Sequence, residues 1–413
     1  LGFNVRIKNF CYVFLFLSSL LICAACFQGD TATTDTGDYG NQELVESHNV
    51  FALSLYHNIR NNKGNVVISP YSISTALGMA YAGARGSTQK QMAEVLHFNL
   101  DQEKLHSAFK KLQAHLGVIQ NKGHIELSIA NALWIQKDFH LLEEFLDLMR
   151  KNYRAGVHTV NYAEDLESVR KAINAWVKRE TKNKIKEIIR HGMLDQSTCL
   201  VLTNAIYFRG NWKNQFEKKL TNNAPFYLTQ NKSVEVSMMN QLNKFKYFEN
   251  DSFQIIELPY VGNDLSMIVL LPKKIDGLSE IESSLSTESL KALINGLYEE
   301  EVIVFLPRFK VGFQILLSKT LEQMGMRDAF NPGSANFSGI NGTRSLYIND
   351  IIHKVFLDVH EEGTEAAAAT GIVSKSIKPV MRIDHPFLFI IRDNRSGSIL
   401  FLGKIVNPKE NNL

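Results

Sequence analysis

Cysteine is scarce in this chain of 413 residues, and what there is cannot brace a fold. Cys11, Cys23 and Cys26 fall in one N-terminal apolar stretch, which leaves a single thiol, Cys199, for the rest. A disulfide scaffold is thereby excluded. Cys23-Ala-Ala-Cys26 has the spacing of a redox or metal pair, but it sits in a run of Leu, Phe and Ile with no strand-helix unit around it. Excess charge is lacking too. The formal net charge of +3, without a basic arm or an acidic tail, argues against nucleic acid as a partner. Long apolar runs are absent beyond the N-terminus, so no membrane partner is expected. There is no Gly-x-Ser-x-Gly elbow, no His-Glu-x-x-His and no Gly-x-x-x-x-Gly-Lys. His360-Glu361-Glu362 lacks a second histidine at helical spacing, and the 12 histidines do not gather into ligand pairs. No metal, no cofactor and no catalytic residue is expected.

What is present suits one large domain. Hydrophobic residues at 45% and charged residues at 21% are ordinary for a globular chain, and this length buries a core unaided. Residues 1–26 read as a signal peptide: Arg6 and Lys8 supply positive charge, Tyr12 to Ile22 an apolar core, and Ala24-Ala25-Cys26 small residues for cleavage. A secreted, extracellular protein follows as the expectation. Residues 27–42, rich in Thr, Asp and Gly, read as a disordered lead-in, and residues 43–413 as the folded domain.

No linker and no repeat divides that domain, and its pattern is α+β. The first half is predicted mostly helical. Ser69-Pro70 starts a buried helix through Ala82, and Leu166 to Thr181 carries Val169, Ile173, Trp176 and Val177 on one stripe. The second half is predicted mostly strand. Leu200 to Phe208 is nearly all apolar, as in a central strand covered on both faces. Val261-Gly-Asn-Asp264 joins two strands as a hairpin, and Asp393 to Gly397 is another turn. Cys199, beside Leu200, Val201 and Leu202, reads as a buried, inert thiol.

One segment does not fit a packed domain. Residues 361–382 lie between two β-like runs, Ile351 to Val359 and Phe387 to Ile391. A loop of that length inside a compact domain is uncommon and usually functional. Judged locally, Thr364 caps a short helix through Ala366 to Ala369, ended by Gly371. The competing reading is an exposed bait, whose row of small side chains slips between strands without a steric penalty.

Here the chain resembles the serpins, the serine protease inhibitors of inhibitory type. Glu361-Glu362-Gly363-Thr364-Glu365, followed by small residues, is similar to their hinge. The resemblance runs from Glu43 onward through Asn65 to Thr75, Asn174 to Ile185, Leu202 to Trp212, Leu306-Pro-Arg-Phe309 and Asp384-His-Pro-Phe-Leu-Phe389.

The resemblance implies one domain with three β-sheets, about eight or nine helices and an exposed reactive-centre loop. It implies a suicide substrate, not an enzyme. A target serine protease cleaves the loop, is held in a covalent complex, and the severed loop inserts as a strand in the main sheet. The hinge would be Glu361, Glu362, Gly363, Thr364, Glu365, Ala366, Ala367, Ala368, Ala369 and Thr370. Ser69, Ser72, Asn204 and His353 would form a cluster controlling sheet opening. Trp212, Arg308 and Glu361 would stand where the loop first enters. Counting forward from Glu361 places the scissile bond at Ile377-Lys378, and counting back from Pro386 places it near Lys375-Ser376. Lys375-Ser376 is the preferred bond, because Lys375 before a small Ser376 suits a trypsin-like target, the expected one, whereas Ile377-Lys378 is the alternative and would suit an elastase-like or subtilisin-like one. A non-inhibitory carrier or chaperone and a cysteine-protease inhibitor are the alternatives.

The molecule is expected to be a monomer. Sequons at Asn231, Asn250, Asn336, Asn341 and Asn394 are candidate glycan sites. Lys104, Lys110 and Lys111, with Lys178 to Lys186, would suit a sulfated polysaccharide or a plain solvated helix face.

Overall fold

The computed structural model describes residues 42–153, 156–362 and 378–410. The chain divides into a unit over residues 1–37, outside the described residues, and a unit over 38–413, which holds all the described residues. The first half of this second unit contains α1 (Gln42–Ile59), β1 (Val66–Ile68), α2 (Pro70–Gly83), α3 (Gly86–Leu96), α4 (Gln102–Asn121), β2 (Ile125–Gln136), α5 (Glu143–Asn152), β3 (Gly156–Val160), α6 (Leu166–Glu180) and β4 (Leu200–Gly210). The second half contains β5 (Asn222–Thr229), β6 (Lys232–Glu249), β7 (Phe253–Pro259), β8 (Leu265–Pro272), α7 (Leu278–Ser284), α8 (Thr287–Asn295), β9 (Tyr298–Pro307) and β10 (Phe309–Leu316). It ends with α9 (Ser318–Met324), α10 (Ser338–Asn341), β11 (Asp350–Val359), β12 (Val380–Arg382), β13 (Phe387–Asp393) and β14 (Ile399–Ile405).

The expected α+β domain is present. α1 begins at Gln42, one residue inside the stretch read as lead-in. The described helices slightly outnumber the expected eight or nine, and the surplus comes from short turns such as the 4-residue α10. No helix among the described residues is long and apolar enough to cross a membrane.

A nine-stranded network runs β1-β14-β13-β8-β7-β6-β9-β12, with β5 on β6. The 18-residue β6 is shared: Lys246 to Glu249 pair with β7, while Met238 to Tyr247 pair with β9. The network therefore reads as two sheets fused through one long strand. With the five-stranded sheet β10-β11-β4-β2-β3 they make the three expected.

The central strands of the five-stranded sheet, β2, β4 and β11, are buried on both faces, and alternation sorts their residues. On one face Leu127, Leu133, Leu202, Ile206, Phe208, Val355 and Leu357 join the main core. On the other, Ala130, Ala132, Trp134, Val201, Ala205 and Ile352 meet Val169, Ile173 and Val177 of α6. Asp165 starts α6 by accepting from the Ser168 N–H at 2.9 Å. Asn174 then fixes the chain beyond the helix: its Oδ1 accepts from Ile188 and Ile189 N–H at 2.8 and 2.9 Å, and its Nδ2 donates to the Ile189 carbonyl at 2.8 Å. Trp176 is only partly buried and meets Trp134 edge-on at 5.6 Å.

Candidate functional site

The junction between β4 and β11 sets the site. β11 pairs antiparallel with β10, and β4 pairs antiparallel with β2, yet β11 and β4 run parallel to each other. The chain leaves β11 at Val359, and residues 363–377 lie outside the described residues. That gap takes in the hinge residues Gly363, Thr364, Glu365, Ala366, Ala367, Ala368, Ala369 and Thr370, and also Lys375, Ser376 and Ile377.

A polar row crosses the junction inside an otherwise apolar face. His353 on β11 stands opposite Asn204 on β4, which stands opposite Asn131 on β2. Above the row begins α2. Ser69 caps it, accepting from the Ser72 N–H at 3.3 Å and donating to the Leu400 carbonyl at 2.7 Å. The Ser69 N–H donates to His353 Nε2 at 3.2 Å. An accepting Nε2 puts the proton of the neutral ring on Nδ1, which donates to Asn204 Oδ1. Asn204 Nδ2 turns to Ser72, donating to its Oγ at 2.6 Å and its carbonyl at 2.9 Å, and also to Asn131 Oδ1. Each group of the row has a partner, as burial demands. Burial takes the His353 pKa down to about 3.

The structure thus brings Ser69, Ser72, Asn204 and His353 together and adds Asn131, which sequence reasoning missed. A signal was there. Along β2, Leu127, Ile129, Leu133 and Ile135 point one way with Asn131 among them, a lone amide in an apolar row.

Trp212, Arg308 and Glu361 meet beyond the end of β11. The Trp212 ring stacks on Tyr260 at 4.6 Å, and its Nε1 donates to the His360 carbonyl at 2.8 Å. The Trp212 N–H reaches the Glu362 carbonyl at 3.3 Å. Glu361 is buried, accepts from Thr221 Oγ1 at 3.1 Å and lies 3.7 Å from the Arg308 guanidinium. Glu362 pairs with Lys218 at 3.0 Å and also with Arg209, and these cations hold its carboxyl below the usual range. Past the gap, Lys378 pairs with Glu301 at 2.8 Å, and the Pro379 carbonyl accepts from the Ile303 N–H at 3.0 Å. Both ends of the loop are therefore fixed: Glu361 and Glu362 near β4, Lys378 and Pro379 on β9.

Other candidates separate from this site. Asn336 and Asn341 are 8 and 9% exposed, so neither has room for a glycan in this fold, a correction to the sequon reading. Asn394 is half-buried and bonded to Ser266, while Asn231 and Asn250 are exposed in turns. Lys104 pairs with Asp101 at 2.9 Å, and Lys184 sits over the Tyr207 ring near Glu126. Cys199 is buried, its Sγ 3.1 Å from the Tyr347 carbonyl, and burial raises its pKa.

Known proteins are similar to this chain in sequence and in fold. The family model "Serpin (serine protease inhibitor)" matches residues 46–408. Human leukocyte elastase inhibitor is 42% identical over 381 residues, covering 89% of this chain and 100% of that protein. Leukocyte elastase inhibitor of Xenopus laevis is 41% identical over 374 residues, covering 88% and 98%. The crystal structure of uncleaved ovalbumin matches with a TM-score of 0.84 at 31% identity, covering 89% of this chain and 100% of that one. These relatives overturn the secreted, extracellular location. They are leukocyte elastase inhibitors matched over nearly their whole length, and the N-terminal stretch that carried the expectation lies before the matched family region. With its mixed sheet, its polar row beneath α2 and its long segment beyond β11, the chain belongs to the serpin family of protease inhibitors.

Proposed function

We propose that this chain inhibits a serine endopeptidase as a single-use suicide substrate, with the target cleaving within residues 363–378 and the freed hinge entering the sheet between β4 and β11. One observation carries the reading. Within β10-β11-β4-β2, the β4–β11 junction is parallel and its neighbours are antiparallel. A strand that continues from the end of β11 and folds back is antiparallel to β11, and therefore to β4. Its insertion replaces one parallel junction with two antiparallel ones, which pair slightly better per residue. Strain released on strand insertion is the driving energy. Ala366 to Ala369 are small enough to enter.

For the bond, the reading is Ile377-Lys378. The count from Glu361 lands there, and the tie of Lys378 to Glu301 supports a bait that ends before Lys378. An apolar Ile377 fits an elastase-like target, the activity that names the human and Xenopus relatives. Lys375-Ser376 with a trypsin-like target is the alternative. Thermal unfolding tests the insertion itself: a chain cut once within residues 363–378 unfolds at a markedly higher temperature than the intact one. An unchanged or lower midpoint would sink the proposal.

A further inference from the structure

The chain end of β11 carries a charged row on the α6 side of the sheet. Lys310 of β10 pairs with Asp358 at 3.3 Å, Asp358 stands opposite Arg209 of β4, and Arg209 stands opposite Glu126 of β2, which Lys184 approaches at 3.5 Å. Arg209 also reaches across to Glu362, so it ties the chain beyond β11 to β4. His360 lies in the middle of this arrangement. Its ring is buried, and neither ring nitrogen has a hydrogen-bond partner. Nε2 lies 3.4 Å from Glu362 Oε2, the same oxygen that Arg209 holds, and Nδ1 lies 3.8 Å from Asp358 Oδ1, which is itself without a hydrogen bond.

An unpartnered imidazole set between two carboxylates is a place built to receive a proton. We propose that His360 is a proton-operated latch at the point where an inserting strand parts β4 from β11. Neutral, it leaves Glu362 bridged to Arg209. Protonated, it takes that oxygen, repels the guanidinium and releases the tie between the two strands. The surrounding charges agree with that direction. From its own strand Asp358 gains a partner, from β4 Arg209 is displaced, and beyond β4 Lys218 keeps the other Glu362 oxygen. Lys310 of β10 stays with Asp358, and Arg308 faces Glu361. Burial and then Arg209 hold the imidazole below its ordinary value, so the takeover falls on the acid side of that value.

The inference rests on the proposed strand insertion, and its test uses no protease. A labelled, acetylated peptide with the sequence of residues 363–376 is added to the full chain, and its rate of uptake into the sheet is followed by anisotropy at about pH 7.5 and about pH 5.5. Uptake in the parent chain is expected to be about fivefold faster at the lower pH, the change that loss of one partly exposed ion pair supplies. His360→Asn should be slow at both values, and Arg209→Gln fast at both. Uptake with no pH dependence, or the same dependence in His360→Asn, overturns the latch while insertion stands. Absence of uptake at every pH overturns both.

Discussion

At the residue scale the controlling fact is a histidine kept neutral by its surroundings. His353 has a folded pKa near 3, and His48, buried against Phe109, also falls to about 3, while His106 falls to about 4 beside Tyr153. The unfolded chain protonates each near 6.5. Between those values the unfolded state binds the protons, so the stability these groups provide is complete above pH 6.5 and is lost as pH falls toward 3. Urea denaturation at stepped pH should show stability declining below about pH 6.5, by up to about 1.4 kcal/mol per pH unit for each histidine. A flat profile down to pH 4 would contradict the burial of these rings. Asn204→Ala leaves His353, Ser72 and Asn131 without their common partner, and should cost about 2–4 kcal/mol by urea denaturation. His353 and Asn204 were legible through family motifs alone. Nothing in the local composition marks a strand histidine as one that bonds the first turn of a helix nearly three hundred residues earlier in the chain.

At the scale of elements, periodicity served helices and central strands well. The Val169, Ile173 and Val177 stripe and the all-buried α2 behind Ser69-Pro70 follow the sequence pattern closely. β2 and β6 did not announce themselves. β2 mixes Ser and Asn into an apolar run, and β6 alternates charged and apolar residues over a length that no single sheet neighbour explains. Asn174 gives an element-level prediction. Asn174→Ala removes three buried hydrogen bonds to Ile188 and Ile189, so it should cost about 2–3 kcal/mol in urea denaturation. The strand that the hinge is proposed to become gives another. Thr364→Arg places an unpaired charge where the strand must be buried, a cost of several kcal/mol. Gel analysis after exposure to the target protease should show this variant cleaved and released instead of trapped. Undiminished trapping would remove the hinge from the mechanism.

At the scale of the molecule, the parallel β4–β11 junction, the polar row across it and the fixed ends of the loop form one arrangement. The sequence reading of residues 361–382 as one exposed loop is corrected at both ends, because Glu361 is buried and Val380–Arg382 form β12 against β9. Glu361 and Glu362 are held on the sheet side, and Lys378 and Pro379 are bonded to Glu301 and Ile303 of β9. Target choice is hard to read from sequence because it depends on one or two side chains in a segment whose length differs between counting rules. The most direct test incubates the full chain with an elastase-like serine protease, looks for a covalent complex that survives SDS, and determines the mass of the released C-terminal peptide. The account predicts such a complex and a peptide beginning at Lys378. Complete cleavage with no complex would contradict the inhibitor reading, and a complex whose peptide begins at Ser376 would move the bond to Lys375-Ser376.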